Sequence, residues 1–222
     1  MATAKKKTRV ACFVDGFNLY HAIDNLRDEQ NNSFPFLKWL DLKSLARAFV
    51  PPSTHEVVAV YYYSAYATWH ADAYKKHRDY TAALQHHGTT VVMGRFKVKT
   101  KRCKQCGSEW KAHSEKESDV NLALGILEQA HAKSFDHALV VTADSDQCPT
   151  IKLVRRLYPA LIIEVLTPPQ GYDLANELRG IVNTRKIKLK HLHKNLLPAT
   201  ITLKDGSTII RPSDYDPPAG HF

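Results

Sequence analysis

The 222-residue sequence predicts an α/β fold with a central, mainly parallel sheet flanked by helices, plus a short C-terminal extension. Two observations predict it. Five apolar, β-branched or aromatic runs, residues 10–14, 57–63, 89–98, 137–142 and 161–166, have the length and composition of strands buried on both faces. Between them lie stretches with helical periodicity, and that alternation is the signature of strand–helix–strand units. The length and a hydrophobic content of 44% suit one domain with a covered core and are short for two.

Taken in order, residues 1–8 form a basic N-terminal tail, with no apolar leader or membrane-length run after it. Residues 9–182 form the domain. Residues 42–49 and 69–85 read as helices, and so do residues 119–132, where Val120, Ala123, Leu124, Leu127 and Ala130 make an apolar stripe behind an N-cap at Ser118. The polar, basic stretch from Cys103 to Ser118 breaks the rhythm and reads as an inserted loop, and the CxxC insertion is placed at residues 100–117. After Val182 the pattern weakens, so residues 183–222 read as an extension. Two short strand-like runs around Asp205-Gly206 suggest a hairpin there, followed by a Pro-rich end.

Thirty-one Lys and Arg against 22 Asp and Glu give a formal charge of +9, which suits a polyanionic partner, nucleic acid first. The four cysteines are too few for a disulfide framework, and a reducing, cytoplasmic setting is expected.

In an open parallel sheet, ligands bind beyond the carboxyl ends of the strands. Here those positions are acidic: the first run leads into Asp15-Gly16-Phe17-Asn18 and the fourth into Asp144-Ser145-Asp146. Asp119, in the first turn of its predicted helix, adds another carboxylate. Taken singly, such residues are often helix caps. Jointly they predict a cluster that repels itself unless a hard divalent cation, Mg²⁺ or Mn²⁺, holds it ionised. Such a cation orients water for attack on a phosphodiester without a nucleophilic side chain. Asn18 is expected to hold a water or phosphate beside the ion, with Thr142 and Ser145 donating hydrogen bonds to the carboxylates.

Three blocks carry a family resemblance: Phe13-Val-Asp15-Gly-Phe-Asn18-Leu-Tyr-His21, Glu115-Lys-Glu-Ser-Asp119-Val-Asn-Leu-Ala123 and Val141-Thr-Ala-Asp144-Ser-Asp146-Gln-Cys-Pro149. In this order they resemble the signature blocks of the NYN domain, a PIN-like nuclease fold, across residues 9–182. The resemblance implies a three-layer PIN-like fold, Asp15, Asp119, Asp144 and Asp146 as metal ligands, Asn18 beside them, and metal-dependent cleavage of RNA. Where the family usually reads Ser-Gly-Asp-Ser-Asp-Phe, this chain has Thr142-Ala143-Asp144-Ser145-Asp146-Gln147, which leaves substrate preference open.

Arg95, Lys97 and Lys99 alternate along one predicted strand, and Lys101, Arg102 and Lys116 follow, so these side chains are the expected phosphate contacts. The alternative is a solvated surface. A second basic cluster, Arg185 to Lys194, has the same two readings. Tyr20, Tyr61, Tyr62 and Tyr63 read as packing residues ahead of base-stacking ones. Cys103 and Cys106 with His113 resemble part of a zinc site that lacks a fourth ligand. A metal-free knuckle, or a site completed by a remote His or a second chain, are the alternatives. Cys148 reads as buried packing ahead of an oxidation sensor. The expected partner is RNA, single-stranded or structured, ahead of DNA, with no membrane and with homo-oligomerisation open.

The main competing function is an NYN-like module that binds RNA or protein without cleaving. A haloacid-dehalogenase phosphatase needs Asp-x-Asp on the first strand, and Asp15 is followed by Gly16-Phe17. No Gly-x-Gly-x-x-Gly run supports dinucleotide binding.

Overall fold

The structure is a computed structural model that describes residues 6–218, so most of the predicted basic tail and the last residues of the Pro-rich end lie outside the described residues. The first half runs β1 (Thr8–Asp15), α1 (Gly16–Asp24), α2 (Leu42–Arg47), β2 (His55–Ala65), α3 (Ala71–His86), β3 (Thr90–Arg102) and β4 (Glu109–Lys116). The second runs α4 (Ser118–His131), β5 (His137–Val141), α5 (Cys148–Leu157), β6 (Ile162–Thr167), α6 (Asn176–Arg179), β7 (Asn183–Lys186), α7 (Leu189–His193), β8 (Thr200–Thr202) and β9 (Thr208–Ile210). Strands β1 to β7 form one sheet in the order β4-β3-β2-β1-β5-β6-β7, parallel except for the β3–β4 pair, while β8 and β9 pair separately.

The central strands are apolar throughout because helices cover both faces. Val10, Cys12 and Val14 point to one face, against Leu19 and Ile23 of α1, Leu42 and Leu45 of α2 and Leu84 of α3. Ala11 and Phe13, alternating with them, meet Leu122 and Ile126 of α4 and Ile151 and Val154 of α5 on the other. The predicted three-layer α/β architecture is therefore present. Among the described residues, no helix is long and apolar enough to cross a membrane.

The structure departs from the sequence expectations in three places. The stretch expected to be an inserted loop is a β-hairpin: β3 continues to Arg102 and pairs antiparallel with β4, from Arg95 opposite Lys116 to Arg102 opposite Glu109. Its ladder is held by backbone hydrogen bonds, which leave no apolar signature in the polar sequence of β4. The sheet also does not end at Val182. β7 is its seventh strand, parallel to β6, and Ile187, Leu192, Leu197, Ile201 and Ile209 enter the core beneath α1, α2 and α3. An edge strand of sequence Asn-Thr-Arg-Lys carries no hydrophobic run to announce it.

The third departure is the phase of α4. Leu122, Ile126 and Ala130 face the core, whereas Val120 and Leu124 from the predicted stripe are 59% and 57% exposed. This helix is apolar on more than one side, and packing kept Ala130 and, in part, Leu127 of the predicted stripe while turning Val120 and Leu124 outward in favour of Leu122 and Ile126. Ser118 is its first residue rather than its cap; the cap position is Glu117, in a left-handed conformation at φ 80°.

An appended tail and an integral segment respond differently to mutation. Leu192→Ala, at a fully buried position, is expected to cost about 2–5 kcal/mol in denaturant unfolding, where a loosely attached extension would show a change within about 0.5 kcal/mol.

Candidate functional site

β1 and β5 lie side by side at the centre of the sheet, with Val14 opposite Val141, so the residues that follow them emerge together. Asp15 is the last residue of β1, 5% exposed, and caps α1. Its Oδ1 accepts the Asn18 N–H at 2.9 Å and its Oδ2 accepts the Thr142 hydroxyl at 3.0 Å. Gly16 permits this seat: a Cβ there would stand 2.6 Å from the Tyr63 carbonyl and 2.7 Å from the Tyr62 ring. Asn18 turns its amide to the third block, where Oδ1 accepts the Ala143 N–H at 2.9 Å. Asp144 then caps the short turn that follows, accepting the Asp146 N–H at 2.9 Å, while its own N–H donates to Thr142 Oγ1 at 3.1 Å.

Asp119 reaches the same place from α4. Two residues outside the site expected from sequence fix that helix. Glu115, at the end of β4, accepts the Ser118 N–H at 2.9 Å in the role the cap residue leaves unfilled. Gln147 is buried, and its side-chain amide donates to the Asp119 carbonyl at 3.3 Å, tying the third block to the second. Glu115 opens the second block; Gln147 occupies the position where the family usually has Phe, and only the fold shows it reaching α4.

Electrostatics records how close the acids are. Burial pushes the Asp15 carboxyl up to about 6, and the charges of Asp119 and Asp144 add to the rise against the two donated hydrogen bonds. Asp119 is raised as well, first by partial burial and then by Glu115, Asp144 and Asp146. Asp15, Asp119, Asp144 and Asp146 are thus neighbours. They are not a closed ligand set: among the described residues, no three His, Cys, Asp or Glu side chains stand ready to hold a metal ion. The donor chemistry nevertheless suits a hard divalent cation, since it is all oxygen and the neighbouring charges acting on both Asp15 and Asp119 are carboxylates. Asn18 is placed as a clamp between the first and third blocks, with its carbonyl oxygen already engaged. Of the two hydroxyls expected to support the acids, Thr142 fills that role by donating to Asp15.

Arg95, Lys97, Lys99 and Lys101 are exposed and alternate along β3, with Lys116 across the ladder from Arg95 on the same face. Arg95 is ion-paired with Glu117 at 2.7 Å. Arg102 lies on the opposite face and donates to the Gly107 carbonyl at 3.3 Å, bracing the hairpin tip. In the second basic cluster, Arg185 is committed to Glu164 and to the Phe49 carbonyl, so it serves packing. Tyr62 and Tyr63 are buried and Tyr61 stacks on Phe13 at 5.1 Å, whereas Tyr20 is 42% exposed.

The hairpin tip is a tight turn in which the Cys103 N–H donates to the Ser108 carbonyl at 2.8 Å and Gly107 takes φ 71°. Cys106 Sγ lies 3.0 Å from Ser108 Oγ, and hydrogen bonds from Ser108 and Cys103 bring its thiol down to about 7. His113 is not with them. It sits opposite Val98, four positions down β4 from its start at Glu109, and its ring stacks on Trp69 at 3.7 Å. A strand advances about 3.3 Å per residue, so the predicted Cys103, Cys106 and His113 grouping is not formed. Cys148 is buried, as a packing role requires.

The family model of the NYN domain matches residues 9–170. A curated protein of Pseudomonas putida (strain DSM 28022 / S16), 6-hydroxy-3-succinoylpyridine 3-monooxygenase HspA, is 27% identical over 219 residues. The match covers 82% of this chain, which spans 65% of that relative's length. A crystal structure of a protein of unknown function, VPA0982 from Vibrio parahaemolyticus RIMD 2210633, aligns with a TM-score of 0.54 and 19% identity over 84% of this chain and 97% of that one. At that identity the likeness speaks for the fold alone.

The raised Asp15 carboxyl makes a stability prediction with a definite sign. Between its ordinary value of 3.8 and about 6, the folded chain binds this proton and the unfolded chain does not. Stability in chelator therefore falls as pH rises through that window. Asp15→Asn is expected to flatten the fall; an amide has one oxygen for the two donors that meet Asp15, so the pH dependence, and not the absolute stability, carries the prediction. Urea unfolding at pH 4 and pH 7 measures it, and parallel pH profiles for the two proteins would contradict it.

Proposed function

Because the chain belongs to the NYN domain family, within the PIN-like nuclease superfamily, we propose that it hydrolyses RNA phosphodiester bonds at a Mg²⁺ or Mn²⁺ site made by Asp15, Asp119, Asp144 and Asp146. The observation that carries this reading is the meeting of three separate sequence blocks at the end of β1 and β5, where Asp15 and Asp119 are both raised by neighbouring acids. A bound divalent cation would supply charge neutralisation and Lewis acidity at the scissile phosphate. The chain's own residues do the positioning. Thr142 and the Asn18 N–H fix both oxygens of Asp15, so its orientation is set before any ligand arrives. Lys97, Lys99, Lys101 and Lys116 form the proposed track for backbone phosphates on the hairpin that leads into α4. All four cysteines are free, which suits the proposed cytoplasmic setting.

A second reading has two observations in its favour. The relative's name specifies a pyridine ring, and a cavity of about 690 Å³ containing several aromatic side chains adjoins the acids. Chemistry on a small heteroaromatic substrate would use that cavity without a strand of RNA. Incubating the purified chain with single-stranded RNA, duplex RNA and DNA in Mg²⁺, Mn²⁺ or EDTA separates the readings, and also separates a nuclease from a module that only binds.

Asp144→Asn is expected to abolish cleavage with folding and RNA affinity nearly intact, because a ligand charge is removed at constant side-chain volume; wild-type turnover at saturating Mg²⁺ would remove Asp144 from the site. Lys97→Glu and Lys99→Glu should weaken binding and lower the salt slope on single-stranded RNA by about 0.7 for each phosphate no longer neutralised. An unchanged slope would place the strand elsewhere.

A further inference from the structure

A concavity of about 690 Å³ lies at the functional end between α1, α3, the β3–β4 hairpin and the turn around Tyr215. That falls within the range of about 300–1,000 Å³ typical of small-ligand sites. Phe17, Tyr20 and Phe96 line it, together with His113, and Trp69 backs His113 by stacking on it at 3.7 Å while meeting Phe96 edge-on at 4.6 Å. Phe17 and Phe96 meet edge to face at 5.6 Å, so the wall is a connected set of rings.

Charge decides what such a wall receives. Lys38 and Lys76 reach the cavity, but Lys38 is paired with Asp24, and Lys76 with Asp72 and Asp214. Their charges are already met by carboxylates, so the cavity suits a planar ring better than a phosphate. Glu115 also lines it. One of its oxygens takes the Ser118 N–H, leaving the other as an acceptor. His77, whose burial brings it down to about 4, is neutral and contributes no cation.

The cavity lies next to the acid cluster through two of its lining residues. Gly16 follows Asp15 directly, and Glu115 is one of the charges that raise Asp119. We propose that this cavity is a base pocket: it takes the planar nitrogen heteroaromatic ring of a nucleotide carrying an exocyclic amino group, stacked on the Phe17, Phe96 and His113 wall and donating to Glu115. The proposal rests on the nuclease reading, under which a nucleotide whose ring sits there would carry its phosphate toward the acids beyond Gly16 and Glu115. It adds a selection by base to a contact that the basic hairpin makes with any sequence.

Binding is measured in EDTA with the full chain, so that cleavage plays no part. The probes are fluorescein-labelled oligoadenylate, oligouridylate and an abasic oligomer of equal length, with free adenosine as competitor. Oligoadenylate is expected to bind about tenfold more tightly than the abasic strand, with oligouridylate weaker than oligoadenylate. Ala73→Trp, an exposed position of α3 at the cavity wall, should bring oligoadenylate down to the abasic level without changing the melting temperature. Ala67→Phe fills the same space from the β2–α3 connection and serves if the first variant folds poorly. Equal wild-type affinity for oligoadenylate and the abasic strand overturns the base pocket. So does a result in which adenosine quenches tryptophan fluorescence but fails to compete with the oligomer, since the ring then belongs to a free small molecule. Base-dependent binding with no Mn²⁺-dependent cleavage leaves the pocket standing and removes the nuclease reading, so the two fail separately.

Discussion

A carboxylate buried at the end of the central strand is the constraint on which the functional end of this molecule depends. An ionised group taken out of water costs several kcal/mol unless hydrogen bonds or opposite charge replace its hydration. Asp15 receives two donors, the Asn18 N–H and the Thr142 hydroxyl. They do not suffice, for its carboxyl still lies well above the ordinary range. The donors come from different blocks of the chain, so the site exists only in one register, with Val14 beside Val141. Shifting β5 by one residue would turn Thr142 to the other face and leave Asp15 with half its support.

The parts of this arrangement that the sequence disclosed are those whose physics is local. Buried parallel strands must be apolar, so residues 10–14 and 137–142 stood out and their bounds differ from β1 and β5 by two residues or fewer at either end. Acids directly after such strands were equally visible. Three features depended on tertiary structure. β4 is held by its partner's backbone rather than by apolar side chains, β7 is a polar edge strand, and α4 is apolar on more than one side, so only packing could choose its buried face. The roles of Glu115 and Gln147 are not legible in the sequence for a related reason. Each acts on α4 from another element, and a hydrogen bond set by the meeting of two elements has no sequence pattern to reveal it.

The β3–β4 hairpin has two chemically different faces. One face presents Arg95, Lys97, Lys99 and Lys101 to solvent; the alternate residues Phe96, His113 and Glu115 line the cavity. Period-two geometry thus puts a phosphate-suited surface and a ring-suited surface back to back on one pair of strands. The position of His113 along β4 also explains why it does not join Cys103 and Cys106. Its stacking on Trp69 lies toward the body of the hairpin, and the thiols belong to the tip. Within the chain, backbone bonds and Gly107 close the CxxC turn.

Coupling among the acids sets the stability of the molecule against its proposed chemistry. Asp15 and Asp119 are raised by overlapping sets of neighbours, so the repulsion belongs to the group and no single residue carries it. Such repulsion opposes the fold without a cation, and the surrounding structure offsets it: Phe13 and Val14 are fully buried beside Asp15, Gln147 ties α4 to the third block, and Asn18 ties α1 to the same block. Each tie joins two of the sequence blocks that bear the acids, which resists the simplest relief of repulsion, separation of the blocks. A site of this kind is held together by neutral hydrogen bonds and core packing against the preference of its own charges. That conflict between local electrostatics and global packing is the pattern expected where a fold keeps a functional site at the expense of stability.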